Sequence, residues 1–293
     1  DLNNCLSPPT AVQVTQPENL IASSSVTSNF NGFSIDCNGN STGQASVSIS
    51  GGTQPYNVIS WSGPNNYSSN SQNISGLSVG NYNVIVTDAN DCQSNNSSIN
   101  LTQPSSVQIE LSADDVSCNT FSDGSITTSI NGGVPGYSYN WSGPNGFSSI
   151  SQNVNGIVAG QYSLDVSDAN GCVSSNSINI TEPDIILFNA TVSSDYNGED
   201  VSCSGVSDGS ISLNIQGGTP GYNVSLDGGL TNSLVNQNSS INILGLSAVS
   251  YELLVTDQQG CSSVSQQILL TSPAPIVANP TPINPSCSEG DDG

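Results

Sequence analysis

The sequence predicts an all-β chain of tandem immunoglobulin-like antiparallel β-sandwich modules joined in an extended array. Three observations predict it: a long unit written three times over, apolar residues at alternate positions within each copy, and no helical period anywhere. The unit opens with a Cys followed six residues later by Gly, at Cys37 and Gly43, Cys118 and Gly124, Cys203 and Gly209, and Cys287 and Gly293. It closes with Asp-x-x-x-Cys, at Asp1 and Cys5, Asp88 and Cys92, Asp168 and Cys172, and Asp257 and Cys261. A period of 80 to 89 residues is too long for a solenoid repeat and suits one small domain. The expected organisation is the end of a preceding module over 1–17, repeats over 18–104, 105–183 and 184–273, and the start of a following module over 274–293. That phase implies a window on a longer fibre.

Within a repeat, the first strand after the early Cys alternates, as in Ile211, Leu213 and Ile215, and a Gly-Gly pair ends it. The next carries an aromatic pair into a Gly-Pro turn, in Pro55-Tyr-Asn-Val-Ile-Ser-Trp-Ser-Gly-Pro and Tyr137-Ser-Tyr-Asn-Trp-Ser-Gly-Pro. The third repeat has Leu226 where Trp is expected, so its core should pack differently. The strongest strand places Tyr82, Val84 and Val86 on one face, with Tyr162, Leu164 and Val166, and Tyr251, Leu253 and Val255, as counterparts. Ala-Asn-Gly after Asp168 reads as a tight hairpin turn, because Asn-Gly tolerates positive φ. The last strand ends at Pro17, Pro104, Pro183 and Pro273, each opening a short linker. About seven short strands per repeat, with a Tyr in a tyrosine-corner-like place, give the immunoglobulin kind of sandwich.

Composition narrows function. The 293 residues carry 23 acidic side chains and no Lys, Arg or His, for a formal charge of −23. Nothing can neutralise a phosphate backbone, so nucleic acid is excluded as a partner, and anionic lipid surfaces are disfavoured. No stretch approaches a membrane span, so no membrane insertion is expected. Dense Asn and Ser with no basic residue suits an extracellular surface in a salty medium. Without His or Lys, the usual neutral-pH base and Schiff-base residues are missing, and no enzyme is expected. Asp114-Asp115 and Glu199-Asp200 are formal carboxylate pairs for glycoside hydrolysis, in loops that differ among repeats.

The set Cys-x5-Gly, Gly-Gly-x-Pro-x-Tyr, Trp-Ser, Gly-Leu-x-x-Gly-x-Tyr, Thr-Asp-Ala-Asn-x-Cys and Thr-x-Pro resembles the repeats of the SprB family, giant surface adhesins of gliding Bacteroidetes. Departures are Asp91 for Gly in the first repeat, and Leu226 for Trp and Val249 for Gly in the third. The resemblance implies type IX secretion, display as a filament on the bacterial cell surface, and a structural or adhesive role. The partners it implies are neighbouring modules of the same chain, with other filaments, surface glycans or the substratum beyond them. A glycan- or protein-binding extracellular module is the alternative function.

Cysteines in repeated modules read as disulfides of an exported protein. Pairing within modules is the expectation: Cys37 with Cys92, Cys118 with Cys172, and Cys203 with Cys261, leaving Cys5 and Cys287 for partners outside the segment. The alternative joins the early Cys of one module to the late Cys of the next, as Cys37 with Cys172 and Cys118 with Cys261. Sequence neighbours such as Cys92 and Cys118 form a third. An odd number of strand crossings puts the two cysteines of a module at opposite ends, an even number at the same end, and the segment between Trp141 and Gly160 decides. No cofactor is required. Calcium is the one metal with candidate ligands, at the recurring Asp88, Asp168 and Asp257 and at Asp123 and Asp208. The competing role for each is to bond its own turn.

Overall fold

The structure, a computed structural model, describes residues 10–226, 230–233 and 240–281. They divide into two compact units. One holds the residues up to Ser112, Ile126–Val154 and Gln161–Ile178; the other holds Ala113–Ser125, Asn155–Gly160 and the residues from Asn179 on. Among the described residues the strands fall into three consecutive sets of seven.

The first set is β1 (Ile21–Val26), β2 (Gly43–Ser50), β3 (Val58–Gly63), β4 (Tyr67–Ser69), β5 (Asn73–Leu77), β6 (Gly80–Thr87) and β7 (Ser97–Leu101). They pair antiparallel into two sheets ordered β1-β2-β5 and β4-β3-β6-β7. Alternation turns Ala45 and Val47 of β2 and Tyr82, Val84 and Val86 of β6 inward, where they join Trp61, Ile74, Leu77 and Leu101 in one core. Each large side chain so buried contributes about 1.5–3 kcal/mol.

The second set is β8 (Gln108–Asp114), β9 (Gly124–Asn131), β10 (Ser138–Ser142), β11 (Ser148–Ser149), β12 (Val154–Ile157), β13 (Gly160–Ser167) and β14 (Val173–Ile180). Its sheets run β12-β9-β8 and β11-β10-β13-β14. The third set is β15 (Leu187–Val192), β16 (Ser207–Gln216), β17 (Asn223–Leu226), β18 (Leu230–Ser233), β19 (Ser240–Ser247), β20 (Ser250–Thr256) and β21 (Gln266–Leu269), in the orders β15-β16-β19 and β18-β17-β20-β21. The fold is therefore all-β, with the same two-sheet plan in each set.

Each recurring motif has a physical reason. Tyr56, Tyr137 and Tyr222 donate their hydroxyls to the carbonyls of Gly51, Gly132 and Gly217, which is why the Tyr stands five residues after the first Gly of the pair in each repeat. Both glycines of the pair have positive φ, +79° at Gly132 and +66° at Gly133. A Cβ on Gly132 would lie 2.1 Å from the Ser106 carbonyl, so the segment after Pro104 can press directly on the turn. Gly133 N–H donates to the Ser105 carbonyl at 2.9 Å and locks that segment in place. Tyr82 and Tyr251 donate to the carbonyls four residues upstream, Ser78 and Ser247, as a tyrosine corner does.

Trp61 and Trp141 are buried, and each indole N–H donates at 3.0 Å, to the Ser71 and Ser151 carbonyls respectively. Leu226 occupies the same register, opposite Leu253 as Trp141 is opposite Leu164, and brings no such donor. The third core is instead filled by Ile211, Leu213, Ile215, Val224 and their neighbours.

Candidate functional site

The closing Asp of each repeat is a buried structural corner. Asp168 accepts the Asn170 and Cys172 N–H groups on Oδ1 and the Val134 N–H on Oδ2, all at 2.9 Å. Asp88 does the same with Asn90, Cys92 and Thr53, and Asp257 with Gln259, Cys261 and Thr219. Each carboxylate thus ties the Gly-Gly turn to the loop that carries the late Cys and fixes the direction of that Cys. Bonds to backbone N–H groups, the Thr53 bond foremost, hold the Asp88 carboxyl below the usual carboxylate range.

The other candidate carboxylates brace the early-Cys loops. Asp123 accepts from the hydroxyl and backbone N–H of Ser117, and Asp208 accepts the Ser202 N–H at 3.0 Å. These serine contacts hold both groups below 3.8, the ordinary value for an aspartate. Asp115 is held down in the same way by the hydroxyl and N–H of Thr181. At Asp36 desolvation raises the pKa, but bonds from Thr42, Asn40 and the Cys37 N–H together outweigh it. Asp200 binds Thr271 as Asp115 binds Thr181. The five calcium candidates therefore sit in five separate loops. Among the described residues no group of three or more His, Cys, Asp or Glu side chains gathers where it could hold a metal ion.

The cysteines correct the expected pairing. Cys37 is bonded to Cys172 with Cα atoms 5.6 Å apart, and Cys118 to Cys261 at 5.5 Å. The pairs Cys37 with Cys92, Cys118 with Cys172, and Cys203 with Cys261 are not formed; Cys92 and Cys203 are free and exposed. The reason is parity. Five strands, β2 to β6, separate Cys37 from Cys92, and β9 to β13 separate Cys118 from Cys172, so the two cysteines of a set lie at opposite ends. The early Cys of one set meets the late Cys of the next. Cys5 and Cys287 lie outside the described residues.

The Cys37–Cys172 joint is built from both sides. On one side, Asn38 donates to the Pro104 carbonyl at 3.0 Å and the Gly39 N–H to Gln103 at 3.0 Å, so the Cys37 loop is fastened to the end of its own set. On the other, Asn170 Nδ2 donates to the Asp36 carbonyl at 2.8 Å, while Asn31 Nδ2 donates to Asn170 Oδ1 at 2.6 Å. Cys118 is fastened likewise: Asn119 donates to the Pro183 carbonyl and the Thr120 N–H to Glu182. Cys118 is buried in the core cluster with Ile186 and Cys261. Sequence reasoning missed Asn31 and Asn170. Asn-Gly reads locally as turn chemistry alone, and nothing local marks a side chain whose partner is more than a hundred residues away.

Among the described residues no helix is long and apolar enough to cross a membrane. The SprB repeat family matches the chain in three segments, 34–66, 111–146 and 196–231. Each begins just before an early Cys and runs through the Gly-Gly motif. No curated protein matches the chain. Of the solved structures, the three N-terminal domains of the Highly Immunogenic Outer Capsid protein (Hoc) of bacteriophage RB49 align with a TM-score of 0.42 and 13% identity, over 87% of this chain and 99% of that one. A tetra-tandem repeat from the extending region of a large adhesion protein aligns with a TM-score of 0.28 and 14% identity, over 86% and 74%. Scores this low carry no argument about function.

Proposed function

We propose that this chain, which carries SprB repeats at three places, is an adhesin-like stretch of an extracellular surface fibre in which disulfides staple each module to the next. The observation that carries the reading is the pairing Cys37–Cys172 and Cys118–Cys261, because the two closed loops interlock along the sequence. A pull on the chain passes through Cys37 to Cys172, back to Cys118, and across to Cys261. Only the segment from Cys118 to Cys172 stays in the covalent path, roughly a quarter of what separates Cys37 from Cys261. At about 3.5 Å per residue, the fully unfolded chain could span at most roughly 190 Å between Cys37 and Cys261, against roughly 780 Å with the disulfides reduced. A fibre so built lengthens far less when modules unfold, as a surface appendage that transmits traction requires.

The acidic, Asn- and Ser-rich surface fits the outside of a cell, where dissolved cations screen its charge. In this reading the filament is displayed by gliding Bacteroidetes through type IX secretion, and its modules work as structural units without cofactor or catalysis. Single-molecule stretching before and after reduction tests the mechanical part: equal extensions in the two states would contradict it. Antibody raised to this chain should label filaments on intact cells that make the protein. Label confined to permeabilised cells would exclude surface display.

A further inference from the structure

The two disulfides lie in different surroundings. Cys37 and Cys172 are half-buried, while Cys118 and Cys261 keep only 4% and 8% exposure inside the core cluster that also holds Ile186. A groove lined by Asn38, Asn40, Gln108 and Ser174 runs along the first bond. The groove along the second is smaller, about 260 Å³ against about 480 Å³, and its lining includes Phe121, Ile185 and Ile186. A thiolate must reach a sulfur to break a disulfide, and a charged nucleophile enters closed, apolar surroundings only at a large desolvation cost.

What closes the first joint does not depend on sulfur. Asn170 Nδ2 donates to the Asp36 carbonyl at 2.8 Å, and Asn31 Nδ2 donates to Asn170 Oδ1 at 2.6 Å. Asn31 stands at the tip of a small hairpin closed by the Phe30–Phe33 bridge, with the Gly32 N–H donating to Asn29 at 2.9 Å. None of these bonds is lost when the disulfide is cut. The second joint has no length of chain for such a hairpin: β8 ends at Asp114, four residues before Cys118, whereas β1 ends at Val26, eleven before Cys37. There Gln259 takes the place of Asn170, two residues after the corner Asp.

We infer that the two disulfides differ in kind: Cys37–Cys172 is a redox-addressable clasp that a dithiol opens while Asn31 and Asn170 keep the joint closed, and Cys118–Cys261 is a lasting bond that opens only when its surroundings unfold. Opening the clasp puts the whole segment from Cys37 to Cys118 into the covalent path, so the redox poise of the medium sets how far the chain extends under load. One thiolate of the dithiol attacks a sulfur of the bond, releasing the other cysteine as thiolate and leaving a mixed disulfide. Its second thiolate then displaces the protein sulfur, so one protein disulfide becomes two thiols and the dithiol becomes a cyclic disulfide. Held by the two asparagines, the protein thiols remain neighbours. A disulfide oxidant such as glutathione disulfide restores the bond by two exchanges in the opposite sense, releasing two glutathione thiols.

The inference rests on the two observed pairings, not on surface display or traction. Its test uses the full oxidised chain, with thiols already free capped by N-ethylmaleimide. The native protein is then exposed to dithiothreitol, quenched with iodoacetamide at intervals, and cleaved at aromatic or acidic residues for mass spectrometry. The same peptides map the pairing, so a wrong pairing is told apart from a wrong order of opening. Cys37 and Cys172 should take up the second label more than roughly tenfold faster than Cys118 and Cys261, because the buried pair waits on local unfolding. The fluorescence of Trp61 and Trp141 should not change meanwhile, and low urea should speed only the slower pair. Equal rates, or Cys118–Cys261 opening first, would overturn the inference. Asn31→Gly keeps the left-handed backbone at φ +49° and removes the amide. It should slow re-formation of Cys37–Cys172 under glutathione disulfide several-fold while Cys118–Cys261 stays intact; an unchanged rate would overturn the role given to the asparagines.

Discussion

Replacing Cys37 by Ser should destabilise the protein as much as replacing Cys172, and replacing both should cost no more than either alone. The bond closes a loop with a sequence separation of 135 residues. Chain-entropy arithmetic for a loop of that length gives about 5 kcal/mol at 25 °C, and measured disulfides commonly deliver about 2–4. Guanidinium unfolding is a suitable assay because the chain has two tryptophans, the buried Trp61 and Trp141, one in each of the two strand sets that this disulfide joins. Their fluorescence should report a lower midpoint in all three variants, with a coupling between Cys37 and Cys172 close to the full single-variant loss. Cys92→Ser, at an exposed and unbonded position, should stay within about 0.5 kcal/mol of the parent. Additive losses at Cys37 and Cys172, or coupling of Cys37 to Cys92 instead, would refute the reasoning.

Trp141→Ala should cost about 3–5 kcal/mol by the same assay, and Trp141→Leu clearly less, because Leu226 shows the third set filling that register with Leu. A loss from Trp141→Leu as large as from Trp141→Ala would count against equivalent registers. Acidification should destabilise: the carboxyls of Asp36, Asp88, Asp115, Asp123 and Asp208 all sit below the ordinary 3.8 in the folded protein. Their contribution is fully present above that value and is lost as pH falls through the lower folded values, so thermal melts should show Tm constant near neutrality and falling below about pH 4. A Tm that rises on acidification would mean that relief of general charge repulsion dominates. Chelating calcium with EDTA should leave Tm unchanged, because the candidate carboxylates already serve N–H and hydroxyl donors of their own loops; a marked drop would reveal a bound ion.

The two-sheet plan was legible where side chains alternate under a strong burial constraint. Tyr82, Val84 and Val86 could face only one way, and Gly-Gly-x-Pro-x-Tyr named a turn whose closure the tyrosine hydroxyl supplies. The disulfide pairing was not legible because it depends on counting strands, and the deciding ones carry almost no signal. β4 is Tyr67–Ser69 and β11 is Ser148–Ser149, too short and polar to announce themselves beside an Asn- and Ser-rich loop. The corner aspartates were legible as turn residues, but their second task of aiming the late Cys needed the long-range bonds from Thr53, Val134 and Thr219. Asn170 was hidden for the same reason, since its partners Asn31 and Asp36 lie in the preceding strand set.

The most direct measurement is disulfide mapping by mass spectrometry of the non-reduced protein. Because the chain has no Lys or Arg, cleavage must be at aromatic or acidic residues rather than by trypsin. The account predicts crosslinked peptides containing Cys37 with Cys172 and Cys118 with Cys261. Peptides joining Cys37 to Cys92 and Cys118 to Cys172 would contradict it.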